Sequence, residues 1–300
     1  MSTVKLLLVG DNPFHGISHL SQERATSRGE DLANPSYTAD LVMASAENGA
    51  DGFMFTVSEI TLSILERLSK REGCNPLQLY AIVPYAYEFV RLATSAGGVP
   101  GLAKELAKQI ILSKNLKSIM FGMEGVLGTS PSALMKTYLV YEIYRLKSAV
   151  GRKAILSSLL LHEIVTDMAL ALNLEWLFKT HIQYMIDLGI KPGFETRNFS
   201  YLVKRFEEWE IDFHQVVIAA PFNRLAFQMC PSKEESERAL AKTSEAEVIA
   251  FSILAAGRLQ LPEAIEYVAN LPNLTGVAVG VSKKSHTYET FKLLKERLKN

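Results

Sequence analysis

The chain has little cysteine, no surplus of charge of either sign and no long uninterrupted apolar run, and each shortage removes a class of protein. Cys74 and Cys230 are its two cysteines, far apart and without CxxC spacing, which argues against a disulfide framework, a zinc cluster or a secreted scaffold stapled by bridges. Both are expected to be reduced. Lys and Arg number 32 against 32 Asp and Glu, with the basic residues scattered rather than gathered in blocks, so nothing favours nucleic acid or another polyanion. The opening MSTVKLLLVGDNPF holds an apolar run too short for a signal core, followed at once by Asp, Asn and Pro. No stretch is long enough to span a bilayer, so a cytoplasmic protein without a membrane partner is expected. Internal repeats, low-complexity tracts and Pro/Gly/Ser linkers are also missing, and a single domain over residues 1–300 is expected.

What is present is a rhythm. Short apolar runs rich in Val, Ile, Leu and Phe recur along the chain, separated by amphipathic stretches, and each run ends in polar residues or glycine. The runs Lys5 to Gly10, Gly52 to Val57, Leu79 to Pro84, Lys117 to Gly122, Lys191 to Arg197, Gln215 to Pro221, Val248 to Leu254 and Thr275 to Val281 read as strands. Helices are expected at Thr38 to Asn48, Ile60 to Glu72, Gly101 to Ser113, Phe199 to Glu208, Lys233 to Ala241, Pro262 to Asn270 and His286 to Lys299. Such alternation predicts an α/β fold, a (β/α)8 TIM barrel of eight parallel strands with helices outside. Length and an apolar share of 48% suit it.

One segment leaves two readings open. Ala154 to Leu161 (AILSSLLL) is either a ninth strand or the continuation of a helix over Tyr138 to Val150, because periodicity does not decide so short an apolar run. As helix, it makes Ser130 to Leu188 an enlarged helical excursion. As strand, it displaces another run from the barrel, the first being the one to suspect as a lid or hairpin. The irregular stretch from Asp11 to Tyr37 is long for a compact domain and reads as a loop covering the pocket.

Barrel enzymes carry their chemistry at the carboxyl ends of the strands. The first strand delivers Asp11, Asn12 and His15, a carboxylate, an amide and an imidazole. His15 and His19 are four apart, a separation that could place two imidazoles on one helical face for a metal, although Pro13 and Gly16 make a hydrogen-bonded turn the competing reading. Glu124 follows the fourth run among glycines, either as a general base or metal ligand or as a helix cap. Glu195 and Arg197 share one side of their strand, with Thr196 and Asn198 on the other. That pair would supply an acid/base group and a planar cation for an anionic substrate, or else an ion pair bracing the barrel. His162 and Glu163 face the active site only if the run before them is a strand. Asn223 would orient a substrate carbonyl, or cap its loop. Gly280, Ser282, Lys283, Lys284 and Ser285 precede a helix start, where free N–H groups and the helix dipole suit an anion.

The carboxyl-terminal third resembles the aldo-keto reductases. Lys191 to Ser200 is similar to the strand in which that family has a glycine, serine, asparagine pattern. Ala220-Pro221-Phe222-Asn223 falls where its next strand carries an asparagine, and Ala250 to Leu254 resembles its tyrosine, serine, proline, leucine run. Val279-Gly280-Val281-Ser282 resembles the segment that grips the cofactor phosphate. The resemblance implies NADP binding, with Lys283, Lys284 or Arg258 near a phosphate. It also implies an aspartate, tyrosine, lysine and histidine at the catalytic centre. Here the second strand (Gly52 to Val57) has phenylalanine where the aspartate is expected, the third ends in Val83-Pro84 rather than lysine, and only His162 stands for the histidine.

Three functions follow as expectations. The first is an enzyme acting on a small anionic metabolite by lyase or isomerase chemistry, with Glu195, Glu124, His15, Asp11 and His162 as catalytic groups. Arg197, Asn198, Asn223 and Asn12 would then hold the substrate, and a divalent metal on Asp11, Glu124 and Glu195 stays open. The second is an NADP-dependent oxidoreductase of aldo-keto type with a rearranged proton donor. The third is a barrel that binds a metabolite without turning it over. A homo-oligomer is compatible with all three.

Overall fold

Most strand-like runs are apolar at nearly every position, as strands buried on both faces require. The computed structural model, which describes residues 4–15, 34–71, 77–85, 94–95, 131–150 and 155–299, arranges eight parallel strands in chain order around a closed barrel. They are β1 (Leu6–Gly10), β2 (Gly52–Thr56), β3 (Gln78–Val83), β4 (Ile155–Leu161), β5 (Lys191–Glu195), β6 (Val217–Pro221), β7 (Glu247–Phe251) and β8 (Gly276–Gly280). Closure occurs at β1, which pairs with both β2 and β8 and sets Gly10 opposite Met54 and Gly280.

The described helices are α1 (Pro35–Glu47), α2 (Glu59–Ser69), α3 (Pro131–Val150), α4 (Glu163–Ala171), α5 (Glu175–Asp187), α6 (Phe199–Glu208), α7 (Lys233–Lys242), α8 (Leu261–Ala269) and α9 (Lys284–Leu298). Several begin where side chains satisfy the free N–H groups of the first turn. Asn34 caps α1 ahead of a proline, Ser58 and Thr61 form a capping box on α2, and Ser232 caps α7.

Alternation divides the strand residues into two cores. Leu6, Leu8, Met54, Tyr80, Ile82, Leu160, Val217, Ala219, Ile249 and Ala278 fill the barrel, while neighbours such as Leu7, Phe53, Ala81, Leu159, Phe194, Ile218, Val248 and Val277 pack against the helices. Burying each large apolar side chain is worth about 1.5–3 kcal/mol. At Gly193 the β4 and β5 strands approach so closely that a Cβ would lie 2.4 Å from Leu160 Cγ and 2.8 Å from Ser158 Oγ.

The open choice at Ala154 to Leu161 resolves in favour of a strand. β4 pairs with β3 and β5, so Ser130 to Leu188 is not a helical excursion; it holds α3, β4, α4 and α5. Its register slips beside Leu79 and Tyr80, whose partners are Leu156 and Ser158, leaving Ser157 as an extra residue. This bulge breaks the two-residue alternation. The first run is no lid, because β1 is paired along both edges. Lys117 to Gly122 and the helix expected at Gly101 to Ser113 lie outside the described residues, and the barrel closes without them. No described helix is long and apolar enough to cross a membrane.

Candidate functional site

The strand ends β1, β3, β4 and β5 bring polar groups to one mouth of the barrel. Asp11 directly follows β1, and the turn behind it is a short 3-10 helix, Asn12–His15. Pro13 in this turn packs on Gly280, where a Cβ would come within 2.7 Å of Pro13 Cδ; glycine there lets the β1 turn close over the end of β8. The turn returns His15 to its own strand end. Asp11 Oδ2 accepts the Thr56 N–H at 2.7 Å and lies 3.0 Å from His15 Nε2. The side chain of His15 is 2% exposed, its Nδ1 has no partner among the described residues, and its ring stacks on Tyr85 with centroids 5.3 Å apart.

His162 follows β4 and is the N-cap of α4, its Nδ1 accepting the Ile164 N–H at 3.1 Å. An imidazole that accepts at Nδ1 carries its proton on Nε2. Burial, with a smaller push from the Arg197 charge, holds its pKa below the usual histidine value, against the opposing charges of Glu163 and Asp11. His162 is therefore a neutral donor.

Glu163 opens α4 and pairs with Arg197 through two contacts, Nε to Oε2 and a terminal guanidinium nitrogen to Oε1, both at 2.5 Å. Glu195 ends β5 and accepts the backbone N–H of Glu163 at 3.3 Å. It is half-buried at the end of its strand. Burial first, then the negative charges of Glu163 and Asp11, push its pKa up to about 8, against the Glu163 N–H and the Arg197 cation. Glu195 thus keeps its proton at neutral pH, as carboxyls in desolvated sites beside like charges do. One turn along α4, Asp167 accepts the Thr196 hydroxyl at 2.5 Å and the Arg197 N–H at 3.1 Å, and burial raises its pKa.

Of the residues expected at the site, the structure gathers Asp11, His15, His162, Glu195 and Arg197. Arg197 is occupied by Glu163, so the same guanidinium is not simply open to an anionic substrate. Thr196 turns the other way, as alternation requires, and Asn198 begins the approach to α6 with its Oδ1 buried and unpartnered among the described residues. Asn12 is exposed. Asn223 is committed to its own loop: its Nδ2 donates to Phe227 O and its Oδ1 accepts Phe227 N–H, both at 2.8 Å, bracing the loop after β6. Arg258 lies over the Phe227 ring at 5.6 Å.

Gly280, Lys283, Lys284 and Ser285 are exposed around the start of α9, with Ser282 half-buried. Lys283 is the N-cap and makes no capping hydrogen bond through its side chain. Lys284 is paired with Asp40 at 3.3 Å. Glu124 and His19 lie outside the described residues, as does most of the loop expected to cover the pocket. Among the described residues no group of three or more His, Cys, Asp and Glu side chains could hold a metal ion.

Sequence reasoning overlooked Tyr85, and it missed the role of Asp167. The second was open to inspection, because Asp167 stands four residues after Glu163 and therefore on the same helix face. Tyr85 had no signal beyond its place after β3.

No protein-family model matches the chain, and no curated protein does. Solved structures do match. A structure of a "putative aldo-keto reductase" from Pseudomonas aeruginosa superposes with a TM-score of 0.59 at 14% identity, covering 98% of this chain and 91% of that one. A second P. aeruginosa structure of the same description gives 0.58 at 14% identity, with the same coverage. The aldo-keto reductase AKR11C1 from Bacillus halodurans, in its holo form, gives 0.58 at 10% identity over 99% of this chain and 90% of that chain. The expectation of lyase or isomerase chemistry is not supported by these neighbours, since all three, each matched over nearly the whole of this chain, are described as aldo-keto reductases. The fold of this chain is an aldo-keto-reductase-like (β/α)8 barrel.

Proposed function

We propose that the protein is an NADP(H)-dependent oxidoreductase of small carbonyl compounds, with Glu195 as proton donor in place of a tyrosine activated by lysine. One observation carries this reading: the Glu195 carboxyl, whose pKa burial and the charges of Glu163 and Asp11 push up to about 8, ends β5 at the mouth of a barrel similar in fold to aldo-keto reductases.

The residues present fit the dinucleotide. The unpartnered Asn198 Oδ1 suits the amide N–H of a nicotinamide ring. The first N–H groups of α9, with no side-chain cap and with Lys283 beside them, suit a phosphate. Bound there, the reduced nicotinamide would supply the hydride. His162 offers Nε2–H to the carbonyl oxygen and polarises it while remaining neutral, a role that its place at a helix N-terminus favours. Glu195 gives its proton to that oxygen as the alcohol forms and becomes a carboxylate, which the nearby Arg197 cation stabilises. Solvent then restores the proton.

The test has two stages. NADPH should raise the thermal midpoint of the full chain, because a ligand that binds the folded form stabilises it by mass action. NADPH oxidation at 340 nm should then follow addition of members of an aldehyde and ketone panel. Absence of NADPH binding sinks the proposal, and binding without turnover of any carbonyl leaves a metabolite-binding barrel instead.

A further inference from the structure

Asn198 is the N-cap of α6, yet its side chain makes no capping hydrogen bond. Asparagine is favoured at that position because its oxygen can satisfy a helix N–H. Here the oxygen is buried and has no partner among the described residues, so the segment must be held by something other than its own cap. Asn198 N–H donates to Thr196 Oγ1 at 3.0 Å. The Thr196 hydroxyl in turn donates to Asp167 Oδ1 at 2.5 Å, and Asp167 Oδ2 accepts the Arg197 N–H at 3.1 Å.

A hydroxyl has one proton and two lone pairs. With the proton directed to Asp167, a lone pair is left for Asn198 N–H. Thr196 is fully buried, so water does not substitute for this arrangement. A single carboxylate on α4 thereby fixes three consecutive residues after β5.

We propose that Asp167 is a positioning residue for the cofactor: acting through Thr196, it holds Asn198 with an uncommitted carboxamide for the amide group of a nicotinamide ring. The inference rests on the oxidoreductase reading. It gives α4 two tasks, because His162 at its N-cap presents the donor for the substrate oxygen while Asp167, one turn in, sets the residue that holds the ring. One rigid helix then aligns both reactants, which is where much of the advantage of a bound over a free reaction arises.

The experiment measures binding rather than turnover. The full chain and its Asp167→Ala, Asp167→Asn and Thr196→Val variants are titrated calorimetrically with NADPH and with 2′-phospho-ADP-ribose, which lacks the nicotinamide ring. Asp167→Ala and Thr196→Val should weaken NADPH about tenfold, the effect of losing a hydrogen bond to a charged group. Affinity for 2′-phospho-ADP-ribose should stay within about twofold. Asp167→Asn, which keeps an acceptor for the Thr196 proton, should recover most of the NADPH affinity. Equal losses for both ligands, or no loss in either Asp167→Ala or Thr196→Val, overturn the proposal. If Asp167→Ala does not fold, Thr196→Val decides alone. Wild-type protein that binds neither ligand defeats the oxidoreductase reading itself, whereas tight NADPH binding by every variant defeats only the role of Asp167.

Discussion

Glu195 accepts the backbone N–H of Glu163 at 3.3 Å, while the side-chain charge of that same Glu163 works to keep the Glu195 proton in place. The hydrogen bond favours the carboxylate; burial, the larger influence, and then the charge favour the acid, and the pKa is pushed up to about 8. Most of the expected behaviour of the site follows from this balance.

Carbonyl reduction should be level near neutral pH and decline as pH rises through about 8, where Glu195 loses the proton it must donate. Alcohol oxidation, which needs the ionised form, should rise over the same interval. Initial rates in both directions against pH test this. A reduction rate still flat well above that point removes Glu195 as the donor.

Glu195→Gln should lower kcat for reduction by about 10²–10⁴-fold, the range for loss of a general acid, with NADPH affinity little changed. The same variant tests stability. The pKa of Glu195 in the folded chain lies above its ordinary value of 4.5, so between those limits the folded form holds a proton that the unfolded form has released. That contribution is complete below the unfolded pKa and is lost as pH rises through the folded one. The melting temperature of wild type should therefore fall more steeply than that of Glu195→Gln between about pH 5 and pH 9.

Arg197→Met should move the alkaline decline upward. The guanidinium favours ionised Glu195 and also neutralises Glu163, so its removal strengthens both influences that retain the proton. A shift of about one unit would correspond to roughly 1.4 kcal/mol between the two protonation states. A decline moved to lower pH contradicts the charge arrangement.

His162→Ala removes an N-cap acceptor as well as the Nε2–H donor, and should cost about 1 kcal/mol of stability together with about a hundredfold in kcat. His162→Asn separates the two effects. Asparagine can still cap α4, so denaturant midpoints should recover while kcat does not.

Gly193→Ala places a Cβ against Leu160 and Ser158. Overpacking of this kind costs about 1–3 kcal/mol, measured as a lowered midpoint of thermal unfolding. Because β5 carries Glu195, a displaced strand should also alter the alkaline limb of the pH profile.

The barrel was legible because it depends on repetition. Runs at β1, β2, β3, β6, β7 and β8 announce themselves through mostly apolar character bounded by turn residues, β5 (KPGFE) through the glycine and polar residues around Phe194, and Phe199–Glu208 was readable to its ends because its apolar positions follow one helical face. β4 was not, since a bulge at Ser157 interrupts its alternation and its remaining leucines are buried on both faces. The candidate site was partly legible. Asp11, His15, His162, Glu195 and Arg197 lie at or just after strand ends, and a strand end in a parallel barrel has a known side. Asn223 follows one too, but it is spent on its own loop.

By itself the sequence determined where the chain alternates between buried strand and amphipathic helix, because burial on one face or two is a local property of residue order. It also determined which chemical groups could reach the barrel mouth. Only the tertiary structure decided what those groups are. Glu195 has its pKa raised because burial and the charges of Glu163 and Asp11 meet at its carboxyl, and Arg197 is a partner of Glu163 rather than a free cation. Protonation and pairing depend on distances between strand ends that lie far apart along the chain, and these distances exist only once the barrel has closed.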